Sequence, residues 1–243
     1  MSVFAISDLH LSFSTDKPMD VFGGKWKNYT DRMLKNWNSV VAENDLVIIP
    51  GDISWAMNLE DTLKDFMYIN NLNGKKLLLR GNHDYWWSTL TKMQNFIKKN
   101  SLSTISFLQN NAAVWEDYVI CGTRGWIIAK DNSSADDKKI YERERQRLIL
   151  SLEEASAYKN KKIIAAMHYP PIEKNDLNGG FMDILQNYSV NECIFGHLHD
   201  SAHMMAPTGL INGIKFSLVS CDYLNFIPLL IKNKKLEKKT CIF

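Results

Sequence analysis

Five of the six histidines in this 243-residue chain fall in short polar blocks, and every block follows an apolar run. In order the blocks are Asp8-Leu9-His10, Gly51-Asp52, Gly81-Asn82-His83-Asp84, His168 and Gly196-His197-Leu198-His199. Imidazole nitrogen together with carboxylate and amide oxygen suits Zn, Mn or Fe(II), and no block carries a thiolate. Asp8 and His10 alternate along an extended stretch, so a bend just past a strand lets both reach one ion. His197 and His199 share that spacing, which suits two neighbouring ions better than one. Asp8, His10, Asp52, Asn82, His168, His197 and His199 are too many ligands for one tetrahedral ion. They are about right for two ions that share a carboxylate. Two metals roughly 3.5–4 Å apart form a clamp for in-line displacement at phosphorus.

The series D-x-H, G-D, G-N-H-D, H and G-H-x-H resembles the calcineurin-like metallophosphoesterase superfamily, with all five blocks in that order between residues 8 and 199. The resemblance implies Asp8, His10, Asp52 and His199 around one metal. It implies Asp52, Asn82, His168 and His197 around the other, with Asp52 bridging. His83 would then ligate no metal but face the phosphate as the catalytic acid, with Asp84 holding its ring. The implied cofactors are two divalent ions, drawn from Mn, Fe and Zn. The implied reaction is hydrolysis of a P–O ester bond in a small phosphodiester or phosphomonoester. In the mechanism the resemblance implies, a metal-bridging hydroxide would attack in line, and the metals and Asn82 would hold the phosphoryl oxygens. A non-enzymatic binding scaffold on the same fold is the competing class; it would be expected to lose ligand positions or the acid histidine, and here all are present.

The elements that must deliver these blocks can be read from the same sequence. Short runs rich in Val and Ile read as buried strands, expected at 3–7, 45–50, 75–80, 162–167 and 192–195. Open α/β sheets hold ligands beyond the carboxyl ends of such strands. Helices are expected at 31–43, 59–72, 86–99, 137–158 and 180–187. Thr30 and Asp31 suit the amino-terminal end of the first, and Asn58 the cap of the second. Further strands are expected near 104–108, 112–115 and 118–122, then at 209–212, 214–220 and 226–232, with Asn212-Gly213 a hairpin turn. Strands alternating with helices, followed by hairpins, predict an α/β fold of two mixed sheets face to face with helices outside. That is the four-layer α/β/β/α sandwich the resemblance implies. A single domain over residues 1–243 is expected, because the blocks span nearly the whole chain.

A net charge of +2 is too small to mark nucleic acid or a membrane as the partner. No extended basic groove signal supports a nuclease, so the expected partner is a small phosphorylated substrate. No apolar stretch approaches the roughly eighteen residues of a membrane span. Cys121, Cys193, Cys221 and Cys241 are scattered without a C-x-x-C, which reads as reduced thiols in a cytoplasmic protein. A cleaved signal peptide is not expected, since cleavage would remove Asp8 and His10. Cys241 stands one place too late for a prenylation box.

Arg80 and Arg124 are the candidate substrate contacts beside Asn82. Arg80-Gly81-Asn82-His83-Asp84 resembles the R-G-N-H-E block of the protein Ser/Thr phosphatases, but the chain reads Gly51-Asp52-Ile53-Ser54-Trp55 where those have G-D-x-V-D-R-G. Arg124 lies in a Gly-flanked loop suited to bidentate phosphate binding; Arg80 reads equally as a phosphate contact or as a strand-end salt-bridge residue. The run Tyr141 to Arg147 reads as a solvated helix face, and the lysines at 232–239 as a polar tail. Trp86 and Trp87 are expected to open a helix as core residues. Trp55 and Trp126 are either core or a stacking surface for a substrate ring. His203 either supports the last block or is an ordinary loop histidine. Residues 11–30 are either a lid or a cover over an apolar edge.

Overall fold

The computed structural model describes residues 1–233. Among them the strands are β1 (Val3–Ala5), β2 (Leu46–Pro50), β3 (Lys75–Leu79), β4 (Ile105–Leu108), β5 (Ala113–Trp115), β6 (Tyr118–Thr123), β7 (Lys162–Met167), β8 (Glu192–Phe195), β9 (Gly209–Ile211), β10 (Ile214–Leu218) and β11 (Leu229–Lys232). The helices are α1 (Tyr29–Val40), α2 (Leu63–Asn71), α3 (Leu90–Lys99), α4 (Ala135–Ser156) and α5 (Met182–Asn187). One sheet has the order β11-β1-β2-β3-β4 and the other β5-β6-β7-β8-β10-β9. Strands β1 to β4 run parallel, as do β6, β7, β8 and β10; β11, β5 and β9 are antiparallel edges.

Strand periodicity assigns the layers. Alternate residues Val3, Ala5, Leu46, Ile48, Leu77 and Leu79 meet Ile120, Ile164, Ala166 and Ile194 between the two sheets. The opposite set, Phe4, Val47, Ile49 and Leu78, packs on Met33 and Trp37 of α1, Phe66 and Ile69 of α2, and Met93 of α3. On the far side Val119, Cys121, Ile163, Ala165, Cys193 and Phe216 pack on Leu148 and Leu152 of α4 and on Ile184 and Leu185 of α5. Strands buried on both faces read as continuous apolar runs, which is why the sequence marks them so plainly. The expected α/β/β/α sandwich of two mixed sheets is the observed fold.

Several boundaries differ from expectation, each for a local reason. The first helix begins at Tyr29 behind a left-handed Asn28 (φ 50°) that makes no side-chain cap bond, so Thr30 lies inside the helix, while Asp31 stands in the first turn as expected. Asn58 does cap, its Oδ1 accepting the Asp61 amide at 3.1 Å, but on a 3₁₀ turn, Glu60–Thr62, that leads into α2. The third helix starts at Leu90, with Thr89 as cap. Trp86 and Trp87 therefore lie in the preceding loop and open no helix. The last strand is shortened by left-handed Asn225 and Phe226 (φ 52° and 61°), which bend the chain. Lys232 pairs with buried Glu192 at 2.7 Å; the other lysines of the expected tail lie outside the described residues.

Two features bear on the site. Past Ala5 the chain bonds to both sheets: Ile6 N donates to Ile48 O at 3.1 Å and Asp8 N to Gly51 O at 3.0 Å on the β2 side, while Ser7 N donates to Val219 O at 2.8 Å and Cys221 N to Ser7 O at 3.0 Å on the other. This stitches the carboxyl end of β1 to the end of β10 in the other sheet. At the opposite end of the strands, Lys76 of β3 is fully buried, and its Nζ donates to Leu72 O and, at 2.8 Å, to Gly74 O. These carbonyls follow the end of α2, where a cation is the natural cap.

Candidate metal centre

The blocks converge because β1, β2, β3, β7 and β8 are parallel and end on one edge. Sharp turns are needed to aim their side chains inward. Asp8, His10, Asp52 and His197 all adopt left-handed backbones, with φ of 59°, 45°, 50° and 71°. Such conformations cost energy outside glycine and cluster at functional sites. Gly81 and Gly196 answer a different need. A Cβ on Gly81 would overlap the carboxylate and amide of Asp52, and one on Gly196 would overlap Ser7 Oγ and Asp8 Oδ2. Backbone here packs directly against ligand-type atoms.

His10 Nε2 and His199 Nε2 lie 3.3 Å apart, and Asp8 Oδ1 is 3.6 Å from His199 Nε2. Asp52 Oδ2 is 3.9 Å from His10 Nε2 and 3.5 Å from His168 Nε2. Asn82 Oδ1 stands 2.7 Å from His168 Nε2 and 3.0 Å from His197 Nδ1. All seven expected ligand residues are thus linked in one constellation. Two subsets, Asp8 with His10 and His199, and Asp8 with Asp52 and His168, could each hold a metal ion through atoms within 4.8 Å of one another.

The outer ring nitrogens are fixed by partners behind them. His168 Nδ1 donates to Pro50 O at 3.0 Å, leaving Nε2 as the lone-pair nitrogen. His199 Nδ1 faces Asp222 Oδ1 at 2.9 Å. A carboxylate behind an imidazole is the usual support of a metal-binding histidine, fixing tautomer and raising basicity. Asp222 also accepts the Asp200 amide at 3.2 Å and lies 3.2 Å from His203 Nε2. His203 therefore lies behind Asp222 at ion-pair distance, without a hydrogen bond to it. Sequence reading missed Asp222, although it follows the apolar end of β10 just as the other blocks follow their strands.

The electrostatics suit a cation. Asp8, Asp52 and Asp222 are buried, and the ion-pair partners found for them among the described residues are all histidines. Burial drives the His10 and His168 imidazoles down to about 3, so both stay neutral and offer lone pairs. Burial also opposes a charge on His199, but the bonds to Asp222 and Asp8 outweigh it and raise the ring to about 10. Burial, then Asp8 and Asp84, push the Asp52 carboxyl well up. Facing imidazole nitrogens and crowded buried carboxylates are unfavourable alone and become favourable around a divalent ion. The donor set fits metal.

Asp84 departs from its expected role. Its oxygens accept the amides of Gly81 at 2.7 Å and Ile53 at 2.8 Å, a longer bond from Ser54, and Trp86 Nε1 at 3.0 Å. It ties the β2 and β3 loops together and does not hold the His83 ring, whose Nδ1 is buried without a hydrogen bond. The nearest rings to His83 are Trp55 at 4.6 Å and His10 at 5.8 Å between centroids. Burial lowers its pKa, where an adjoining carboxylate would have raised it.

Beside the centre, the segment 11–30 is anchored by buried Met19, Trp26 and Tyr29, with Tyr29 Oη donating to His10 O at 2.8 Å, while most of its other side chains are exposed. Together with Phe22 and Trp55, Met19 and Trp26 make the apolar wall of a pocket whose other side is His10, His83 and His199. Trp55 lies stacked on His10 with centroids 5.0 Å apart, so that face is taken. Trp126 packs on Tyr169, which in turn packs on His197 at 4.1 Å. Arg80 and Arg124 line a separate pocket beside the centre. The 141–147 run is not a plain solvated face, because Tyr141 and Glu144 turn inward; Tyr141 Oη donates to Gly180 O at 2.8 Å.

No described helix is long and apolar enough to cross a membrane. Among solved structures, the chain resembles a phosphopantetheinyl hydrolase from Mycobacterium tuberculosis at 13% identity and TM-score 0.56, covering 96% of this chain and 97% of that one. It resembles a protein from Thermus thermophilus at 12% identity and TM-score 0.57, over 89% and 87% of the two chains. A protein of unknown function from Aquifex aeolicus aligns over 99% of both chains at 16% identity and TM-score 0.51. An uncharacterized protein of Methanocaldococcus jannaschii is 28% identical over 87 residues, 34% of this chain and 46% of that relative's length. These likenesses carry the fold. The sequence pattern of the calcineurin-like phosphoesterases matches residues 1–201, which hold every block of the centre. The chain belongs to the calcineurin-like phosphoesterase family, metal-dependent hydrolases acting on phosphoric ester bonds.

Proposed function

We propose that this chain is a two-metal phosphoesterase cleaving a P–O bond in a small phosphorylated substrate. Asp8, His10, Asp52 and His199 would hold one ion, and Asp52, Asn82, His168 and His197 the other. The observation that carries this reading is the place of Asp52 Oδ2, between the ligating nitrogens of His10 and His168. Asp8 Oδ1 also approaches His168, at 3.9 Å, but on the Nδ1 side, which is committed to Pro50. Asp52 is therefore the better bridge.

Bound there, the ions would supply an acidified water and offset charge on the phosphoryl oxygens. The protein's part is to hold and exclude. The Pro50 and Asp222 bonds keep His168 and His199 turned so that Nε2 faces inward. Asn82 spends Oδ1 on the His168 and His197 side, which leaves its amide N–H groups for a phosphoryl oxygen. The apolar wall of Met19, Phe22, Trp26 and Trp55 excludes water beside His83 and receives the leaving group. With Nδ1 walled in, His83 exchanges its proton through Nε2, delivering it to the departing alkoxide. Among the described residues, Cys121, Cys193 and Cys221 are free and buried, which supports a reducing, cytoplasmic setting.

The test pairs metal analysis with turnover. Mn²⁺-loaded protein should contain two equivalents of metal and hydrolyse p-nitrophenyl phosphate or its bis ester. Asp52→Asn should lose metal from both sites and nearly all turnover while remaining folded. Two full equivalents with normal rates in that variant would overturn the bridging assignment. A fully loaded wild type inert on both esters would favour a binding scaffold.

A further inference from the structure

Beside the metal centre, on the same edge of the sandwich, lie the ends of β4 and β6, the neighbours of β3 and β7 in their sheets. A pocket opens there whose polar lining is Arg80, Gln109, Asn110, Arg124, Glu144 and Arg147, and none of the seven ligand-type residues reaches it. Its charges do not balance. Glu144, fully buried, is the only carboxylate in the lining, and it is already served by Thr123 Oγ1 at 2.5 Å and Arg147 Nη1 at 2.6 Å. Arg124 Nη2 adds a longer bond to it, at 3.4 Å. The Nε atoms of Arg80 and Arg124 are both buried with no hydrogen-bond partner. A structural ion pair for one carboxylate needs no third guanidinium, and leaving buried N–H donors unpaired is costly.

These donors are positioned rather than loose. The Arg124 guanidinium lies 4.5 Å over the Trp126 ring, which sets the plane of its fork. Arg124 O accepts the amides of His168 and Tyr169 at 3.1 and 2.9 Å, so pocket and centre share one stretch of backbone. Arg80 stands two residues before Asn82. Planar forks with free N–H groups match phosphoryl oxygens.

We infer that this pocket is a second anion subsite, which takes a phosphoryl group of the substrate other than the one being cleaved. Arg80, Arg124 and Arg147 bind it, with Gln109 and Asn110 as neutral donors. The preferred substrate then carries two phosphoryl groups separated by an organic linker that spans from Asn82 to Arg124. The word substrate rests on the phosphoesterase reading; the anion site itself does not.

The full-length chain, stripped of metal and dialysed, is titrated with pyrophosphate by calorimetry at fixed salt. One-site binding is expected, weakened about tenfold or more in Arg147→Ala and in Arg124→Lys, with Arg147→Lys recovering part. Thermal melts check each fold, and Arg124→Lys keeps the test decisive if Arg147→Ala melts early. No binding by the wild type, or equal binding by folded variants, overturns the subsite. The metal-loaded enzyme is then compared on adenosine 3′,5′-bisphosphate and adenosine 5′-monophosphate. A kcat/KM ratio about tenfold above one that falls toward one in Arg147→Ala is expected, and a ratio near one in the wild type removes the substrate claim. Arginine-dependent pyrophosphate binding without hydrolysis of either nucleotide would sink the phosphoesterase reading and leave the subsite standing.

Discussion

Asp222→Asn isolates the support that sequence reading missed. Asp222 holds His199 Nδ1 at 2.9 Å, accepts the Asp200 amide at 3.2 Å and lies 3.2 Å from His203 Nε2. Asparagine keeps the shape but has one acceptor oxygen. If that oxygen stays on His199, the amide nitrogen meets the Asp200 N–H, donor against donor; if it turns, His199 loses its acceptor. Either way the ring is less basic and less firmly aimed at Asp8 and His10. Losing such a support costs metal affinity about 10–100-fold, roughly 1.4–2.7 kcal/mol. The assay is competition with a chromogenic chelator, read as two binding constants, followed by turnover at saturating metal. One ion should weaken in that range while the other changes little, because His168 leans on Pro50 instead. Activity should return largely when metal is raised. Unchanged affinity for both ions would refute the idea that Asp222 tunes His199.

Gly81→Ala should strip metal and activity without unfolding the sheets, since its Cβ would overlap the Asp52 carboxylate and amide; a fully loaded, active alanine variant would show that the loop can yield. His83→Ala should keep its metals and lose about 10²–10⁴-fold of its rate on alkyl phosphates, with a smaller loss on p-nitrophenyl phosphate; equal losses across leaving groups would remove the acid role. Lys76→Met should destabilise by about 1–3 kcal/mol, because Leu72 and Gly74 carbonyls lose their donor. Burial lowers the Lys76 ammonium from 10.5 to about 7. Between those values the unfolded chain holds a proton the native chain lacks, so this group makes stability rise with pH. The deficit of Lys76→Met should therefore grow between pH 6 and pH 9, and melts showing a constant deficit would contradict that.

The strands, and the Asp, His and Asn residues that gather at their ends, were legible in the amino-acid order alone. Val3 to Ile6, Leu46 to Ile49 and Ile163 to Ala166 are apolar on both faces, a pattern only a doubly covered parallel strand sustains, and the chemistry of each block sits immediately after its strand. Local spacing carries such information: Asp8 and His10, or His197 and His199, are neighbours in the chain as in the site. Helix starts were less legible, because Trp86 and Trp87 look like helix residues until the loop is seen to pack Trp86 Nε1 on Asp84. Contacts between residues far apart in sequence came from packing. Asp222 reaches His199 because the chain just past β1, at Ser7, bonds to the end of β10 while still paired beside β2, which holds the ends of the two sheets together. Asp84, beside His83 in sequence, turns instead to the amides of Gly81 and Ile53, which the two loops place against its oxygens. Glu144 and Arg147 looked like solvated helix residues, and become half of a charged pocket once α4 lies across the end of β6. A local pattern states which groups a strand end offers; where two sheets and a helix meet, packing alone decides which of them face one another.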